Sequence, residues 1–97
     1  MEKEKRKYLE RYALLEESGE LNEEKNEQMK AIEQAVSSLE NEVEKEILYL
    51  KYIGYHVNGK RKRINTLWEI GNILGYSESR IKFYHGNALK NLKIGTD

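Results

Sequence analysis

One stretch, Thr66 to Leu92, restricts the possible folds more than any other, because its capping residues and glycines punctuate two short helices. Thr66 followed by Glu69 is a capping box, in which the hydroxyl serves a free backbone N–H at the start of a helix. Leu67, Ile70, Ile73 and Leu74 recur at helical spacing and give that helix an apolar face. Gly75 stands just after the last of them, where a left-handed C-terminal position favours glycine. Ser77 can then cap a second helix. Along it Ile81, Tyr84, Ala88 and Leu92 form one stripe, with Ser79, Lys82, Phe83, Gly86 and Lys90 roughly opposite.

Gly71 lies inside the first of these helices, where glycine costs about 1 kcal/mol against alanine. A steep crossing of the two helices accounts for it, since a small residue is needed at the contact. On that reading Gly71→Ala is tolerated or slightly stabilising, and a leucine overpacks the crossing. Helix, glycine turn, helix is the helix-turn-helix pattern, in which the second helix enters the DNA major groove.

The same residues resemble region 4 of bacterial sigma factors. The matching or near-matching positions are Thr66, Leu67, Glu69, Ile70, Gly71, Leu74, Gly75, Ser77, Ile81, Tyr84, Ala88, Leu89 and Leu92. The chain is more similar still to small phage and prophage regulators of the ArpU/RinA type. That likeness rests on Ile47-Leu-Tyr-Leu-Lys-Tyr-Ile53, Gly75-Tyr-Ser-Glu78 and His85-Gly-Asn-Ala-Leu-Lys90. It covers roughly residues 39–94 and leaves the first 37 unmatched. The resemblance implies a DNA-binding transcriptional regulator with Glu78, Ser79, Lys82 and Phe83 facing the groove, Arg80 beside them, and Ser77 and Lys90 at the helix ends. Sigma factors usually carry a basic residue and a glutamine where this chain has Glu78 and Phe83. Glu78 can accept from cytosine N4 and Phe83 can meet a thymine methyl.

Composition narrows the classes. In 97 residues, 38% are hydrophobic and 35% charged, with no proline, which suits one small helical domain. Cysteine is absent, so disulfides, thiolate metal sites and cysteine nucleophiles are excluded. The first residues are charged and lack an apolar signal region, and the run Ile47 to Leu50 is too short to span a bilayer; a cytoplasmic, non-membrane protein is expected. Net charge is zero, but its distribution is not even. Residues 1–50 hold 8 Lys/Arg and 14 Asp/Glu, whereas residues 51–97 hold 9 and 3. The basic half contains the helix-turn-helix pattern, the electrostatic footprint of a DNA binder.

Before that module the chain reads as helix. Residues 3–16 place Tyr8, Tyr12 and Leu15 on one face, with Leu9 and Leu14 beside it. Their basic residues Lys3, Lys5, Arg6, Lys7 and Arg11 fit either an arm on phosphate or a solvated helix, and the second reading is preferred. Gly19 suits the end of that helix. Residues 20–53 read as one long helix or two, with a capping box at Ser37-Ser38 and Glu40 permitting a break. Met29, Ile32, Val36, Leu39, Val43, Leu50 and Ile53 follow a 3–4 spacing. This seam suits a coiled-coil homodimer or an intramolecular hairpin. The 11 acidic residues between 16 and 46 are expected to be a solvated face.

Residues 54–65 exceed the usual link between such helices. Asn58-Gly59 is a turn dipeptide that suits a hairpin or loop. Lys60, Arg61, Lys62 and Arg63 follow it and are expected to clamp phosphates rather than only to solubilise. Residues 94–97 are expected to fray.

No catalytic constellation or phosphate-binding glycine loop is present, and His56 and His85 lack ligand partners, His85 reading as a packing residue. No enzyme activity, cofactor or metal is expected. The chain is therefore expected to be all-α, with an N-terminal helical arm or hairpin over 1–38 and a sigma-like helix-turn-helix domain over 39–97 with a basic loop at 54–65. Duplex DNA is the expected partner. The competing reading is a small phage inhibitor that contacts RNA polymerase or another host protein, as anti-CRISPR proteins do, with the helix-turn-helix reused.

Overall fold

The computed structural model describes residues 2–18 and 22–94. Helix α1 spans Glu2–Glu17, α2 Glu23–Ser37 and α3 Glu42–Leu48. A π-helical turn, Tyr49–Ile53, continues α3. Strands β1 (Tyr55–Val57) and β2 (Lys60–Lys62) form a small antiparallel hairpin, and α4 (Leu67–Leu74) and α5 (Glu78–Asn91) complete the chain. The fold is all-α apart from that hairpin. Among the described residues no helix is long and apolar enough to cross a membrane.

The stretch read as one long helix or two is broken between α2 and α3, but not by the expected capping box. Ser38 ends α2: its hydroxyl donates back to the Gln34 carbonyl at 2.8 Å, and its N–H reaches the same oxygen. Asn41 starts α3 by accepting from the Glu44 N–H at 3.0 Å. Asn and Ser are comparable N-caps, and here Asn41 has the extended backbone the position requires. Gly19, expected at the end of α1, lies outside the described residues.

Two apolar clusters sit on either side of the α3–π segment. One joins Leu9 and Tyr12 of α1, Ile32 and Val36 of α2, and Leu39 to Leu48, Tyr52, Ile53, Ala88, Leu89 and Leu92. The other joins Ile47, Leu50, Ile64, Ile70 and Ile81. Residues 47–53 therefore serve both, and the first 38 residues share a core with the rest rather than forming a detached arm. Of the heptad seam, read as suiting a homodimer or an intramolecular hairpin, Ile32, Val36, Leu39 and Ile53 are buried within one chain, packed with α1 and α5. Ile94, expected to fray, packs against the first cluster. On the apolar face of α1, Leu9 and Tyr12 are fully buried while Leu14 faces out.

Polar contacts tie the elements together. Glu44, buried in α3, accepts from the Asn91 side chain at the end of α5. Lys5 donates to the Lys90 carbonyl at 3.0 Å, placing a cation at the negative end of the α5 dipole. His85 is buried as expected of a packing residue: its ring stacks on Tyr52, and Nε2 lies 2.8 Å from the Tyr52 hydroxyl.

A candidate nucleic-acid interface

The two short helices form as their caps predict. Thr66 accepts from the Glu69 N–H and Ser77 from the Arg80 N–H, both at 3.2 Å. Gly75 is left-handed, with φ 82°, and the N–H groups of Gly75 and Tyr76 both reach the Gly71 carbonyl. The turn thus folds back over Gly71, and this changes what that glycine does. A Cβ at Gly71 would lie 2.6 Å from the Tyr76 carbonyl oxygen and 3.4 Å from Ile81 Cγ1. The tight neighbour is backbone of the turn, which cannot rotate aside as a side chain can. Gly71→Ala is accordingly not neutral, and the gain in helix propensity does not offset the collision. We expect a loss of about 1–2 kcal/mol, read as a lower denaturation midpoint. A midpoint at or above the parent's would disprove the close approach.

Of the apolar face expected on α4, Ile70 is buried, Leu67 and Leu74 are partly covered, and Ile73 is exposed along with Trp68. On a helix of eight residues the face that meets the core is narrow, and Ile73 falls outside it.

Helix α5 buries Ile81, His85, Ala88 and Leu89, and Leu92 is buried just after its end. Ser77, Glu78, Ser79, Arg80, Lys82, Phe83 and Lys90 are exposed. At 100° per residue, Ser79, Phe83 and Lys90 lie opposite the buried stripe. Glu78 and Lys82 lie on one flank, where they line a cleft with Arg6 and Glu10 of α1 and Lys51 of the π turn. Arg80 lies on the other flank, with its guanidinium 6.0 Å from the Tyr84 ring centre. Tyr84 in turn meets Phe83 and Tyr76 edge-on, at 5.8 and 5.7 Å. The outer face is thus mixed: polar at Ser79, cationic at Lys82 and Lys90, aromatic at Phe83.

The expected basic loop is a hairpin. Asn58 and Gly59 have φ of 53° and 78° and make its two-residue turn, and the register pairs Tyr55 with Lys62, His56 with Arg61 and Val57 with Lys60. Side chains alternate along a strand, so the four cations divide. Arg61 and Arg63 are engaged by the fold. Both bond to the Glu16 carboxylate, Arg61 through Nε and Arg63 through Nη2 at 2.8 Å. Arg63 Nε also donates to the Tyr52 carbonyl, and Arg61 Nη1 reaches that of Ile53. Both guanidiniums lie over the Tyr12 ring, at 5.2 and 5.8 Å. Burial alone would raise the Glu16 pKa, but the two arginines prevail and hold it below the usual carboxylate range. Burial and the bond to Glu33 push Tyr12 upward, so its hydroxyl stays protonated and donates to Glu33. Of the four cations expected to reach phosphate, Arg61 and Arg63 are thus engaged within the fold and brace the hairpin against α1. Lys60 and Lys62 are exposed.

Sequence reading missed Glu16, Lys51 and Tyr55. Arg61-x-Arg63 at strand spacing was a usable sign that the run has two faces. Glu16 carried none, being 45 residues from Arg61. Among the described residues no group of three His, Asp or Glu side chains could hold a metal ion. Compared with known proteins, the chain matches no family model, no curated protein and no solved structure.

Proposed function

We propose that this chain binds duplex DNA through α4 and α5 as a helix-turn-helix, α5 being the recognition helix of a phage-type transcriptional regulator. The observation that carries this reading is the two-sidedness of α5. Its inner stripe is locked into both the fold and α4, while Ser79, Lys82, Phe83 and Lys90 project from a helix capped at Ser77. Base readout needs such rigidity, because contacts to base edges must hold fixed geometry. The likeness to sigma region 4 and the excess of cations after residue 50 support the same reading.

The test is binding to duplex from the chain's own upstream region at about 50 mM salt, where phosphate contacts are strongest. Lys82→Ala should reduce discrimination between sites by about 1 kcal/mol, the lower end for a base contact, because an ammonium is a point charge rather than a bidentate fork. Failure of the parent protein to shift any duplex would end this reading. One observation favours the alternative, a small inhibitor acting by protein contact. Phe83 is 65% exposed and Trp68 59%, and aromatic residues are enriched at protein interfaces. On that alternative Phe83→Ala abolishes capture of a protein partner, and no duplex is bound.

A further inference from the structure

The hairpin has two chemically different faces. Arg61, with Arg63 beyond the strand end, is turned onto Glu16 and Tyr12. Opposite them lie Lys60 and Lys62 of β2, with Val57 and Tyr55 as their cross-strand partners. Lys60, Lys62 and Tyr55 are exposed. Residues 54–65 contain no acidic side chain, in a chain whose net charge is zero. The outer face therefore presents two ammonium groups and a phenol with no anion of its own segment to neutralise them.

We infer that this outer face, Tyr55 with Lys60 and Lys62, is a wing that grips the sugar-phosphate backbone of duplex DNA beside the groove occupied by α5. The inference rests on the helix-turn-helix reading and adds a second contact element to it. Two lysines two residues apart on one strand are about 6.6 Å apart, within reach of adjacent phosphates on one DNA strand. A phenol is a neutral donor to phosphate oxygen.

The wing also has a defined position relative to α4. Between β2 and the Thr66 cap, Ile64 is buried in the second core cluster and its N–H donates to the Leu50 carbonyl at 2.9 Å. Lys51 donates to the Asn65 carbonyl at 2.8 Å. With Arg61 and Arg63 clamped on the other side, the hairpin is held at both its base and its inner face. A preorganised contact loses less ordering entropy on binding than a loose loop does. The arginines thus contribute to affinity by placing the lysines, not by touching phosphate.

The experiment is a salt series, roughly 50–200 mM, of full-chain binding to the upstream duplex and to an unrelated duplex. It compares the parent with the double variant Lys60→Ala/Lys62→Ala. Both lysines are exposed, so equal melting temperatures are expected. The slope of log K against log salt should flatten by about 1.8, which is 0.9 for each lost phosphate contact. The preference for one duplex over the other should not change. Tyr55→Phe should weaken binding to both duplexes by the same factor and leave the slope alone. An unaltered slope in the double variant, with the parent still preferring its site, overturns the wing and leaves α5 as the reader. A flattened slope with no preference in the parent keeps the wing and removes base readout by α5. Absence of duplex binding by the parent overturns both.

Discussion

Gly54→Ala is expected to destabilise the protein by about 2–6 kcal/mol, from roughly 1–3 for backbone strain and 1–3 for overpacking. Gly54 joins the π turn to β1 with φ 88° and ψ −178°, a region of backbone space almost confined to glycine. Its N–H closes the π turn on the Tyr49 carbonyl at 2.6 Å, so the residue cannot rotate away without opening that turn. A Cβ there would collide with the Lys62 carbonyl oxygen and lie 2.8 Å from Arg63 Cγ. Relief would push the hairpin off the helices and away from Glu16. A small domain has about 5–15 kcal/mol in total, so this one methyl group removes a large share. Urea denaturation with an unchanged m-value reads the difference as a midpoint shift. A variant within 0.5 kcal/mol of the parent would show that the hairpin does not depend on this hinge.

What the sequence revealed and what it hid divide by range. Thr66, Gly75 and Ser77 act on N–H and C=O groups within four residues, so the α4-turn-α5 unit was legible in detail. Asn58-Gly59 was legible for the same reason. The break after α2 was legible as a break, yet Asn41 rather than a serine made the cap. Three neighbouring residues could each satisfy that position, and the choice depends on where Leu39 is buried. The π turn left no periodic trace, because Ile47, Leu50 and Ile53 fit an α-helix equally well.

Contacts between distant residues were not legible. The seam from Met29 to Ile53 gave its period but not its partners, which lie in α1, α4 and α5 of the same chain. The run Lys60 to Arg63 gave its charge and, by strand spacing, two faces, but not which face turns inward, because that depends on Glu16 arriving from α1. Gly71 was recognised as a close approach, but the approaching group was the carbonyl of the turn instead of the facing helix. That distinction reverses the sign expected for alanine.

Acid is expected to weaken the fold through His85 by as much as about 3 kcal/mol between pH 6.5 and pH 4. Burial is the main cause: it lowers the His85 pKa from 6.5 to about 4, with Lys51 and Arg6 adding to the effect. Burial also pushes the Tyr52 phenol up to about 12, so Tyr52 keeps its proton and shares a hydrogen bond with His85 Nε2 at 2.8 Å, the imidazole tautomer setting which of the two donates. A protonated imidazole would place a charge in this buried site, near the cations Lys51 and Arg6, and Nε2 could then only donate to the Tyr52 oxygen. The unfolded chain takes up a proton near pH 6.5, whereas the folded chain resists until about pH 4. The unfolded state therefore binds more protons throughout that window, and stability falls as pH falls. Above pH 6.5 both states leave the imidazole neutral and this dependence vanishes; below pH 4 both are protonated and the loss is complete. Glu16 has its own, lower window. Its folded pKa lies beneath the ordinary carboxylate value, so its contribution persists above about pH 4.5 and is lost as pH falls through the folded pKa. Comparing urea midpoints of the parent and His85→Gln across pH 7 to pH 4 isolates the histidine. Glutamine can keep an oxygen near Tyr52 but does not titrate. The parent should lose stability steeply over this range and the variant much less. Parallel pH profiles would place the acid sensitivity elsewhere and refute a neutral His85 in the core.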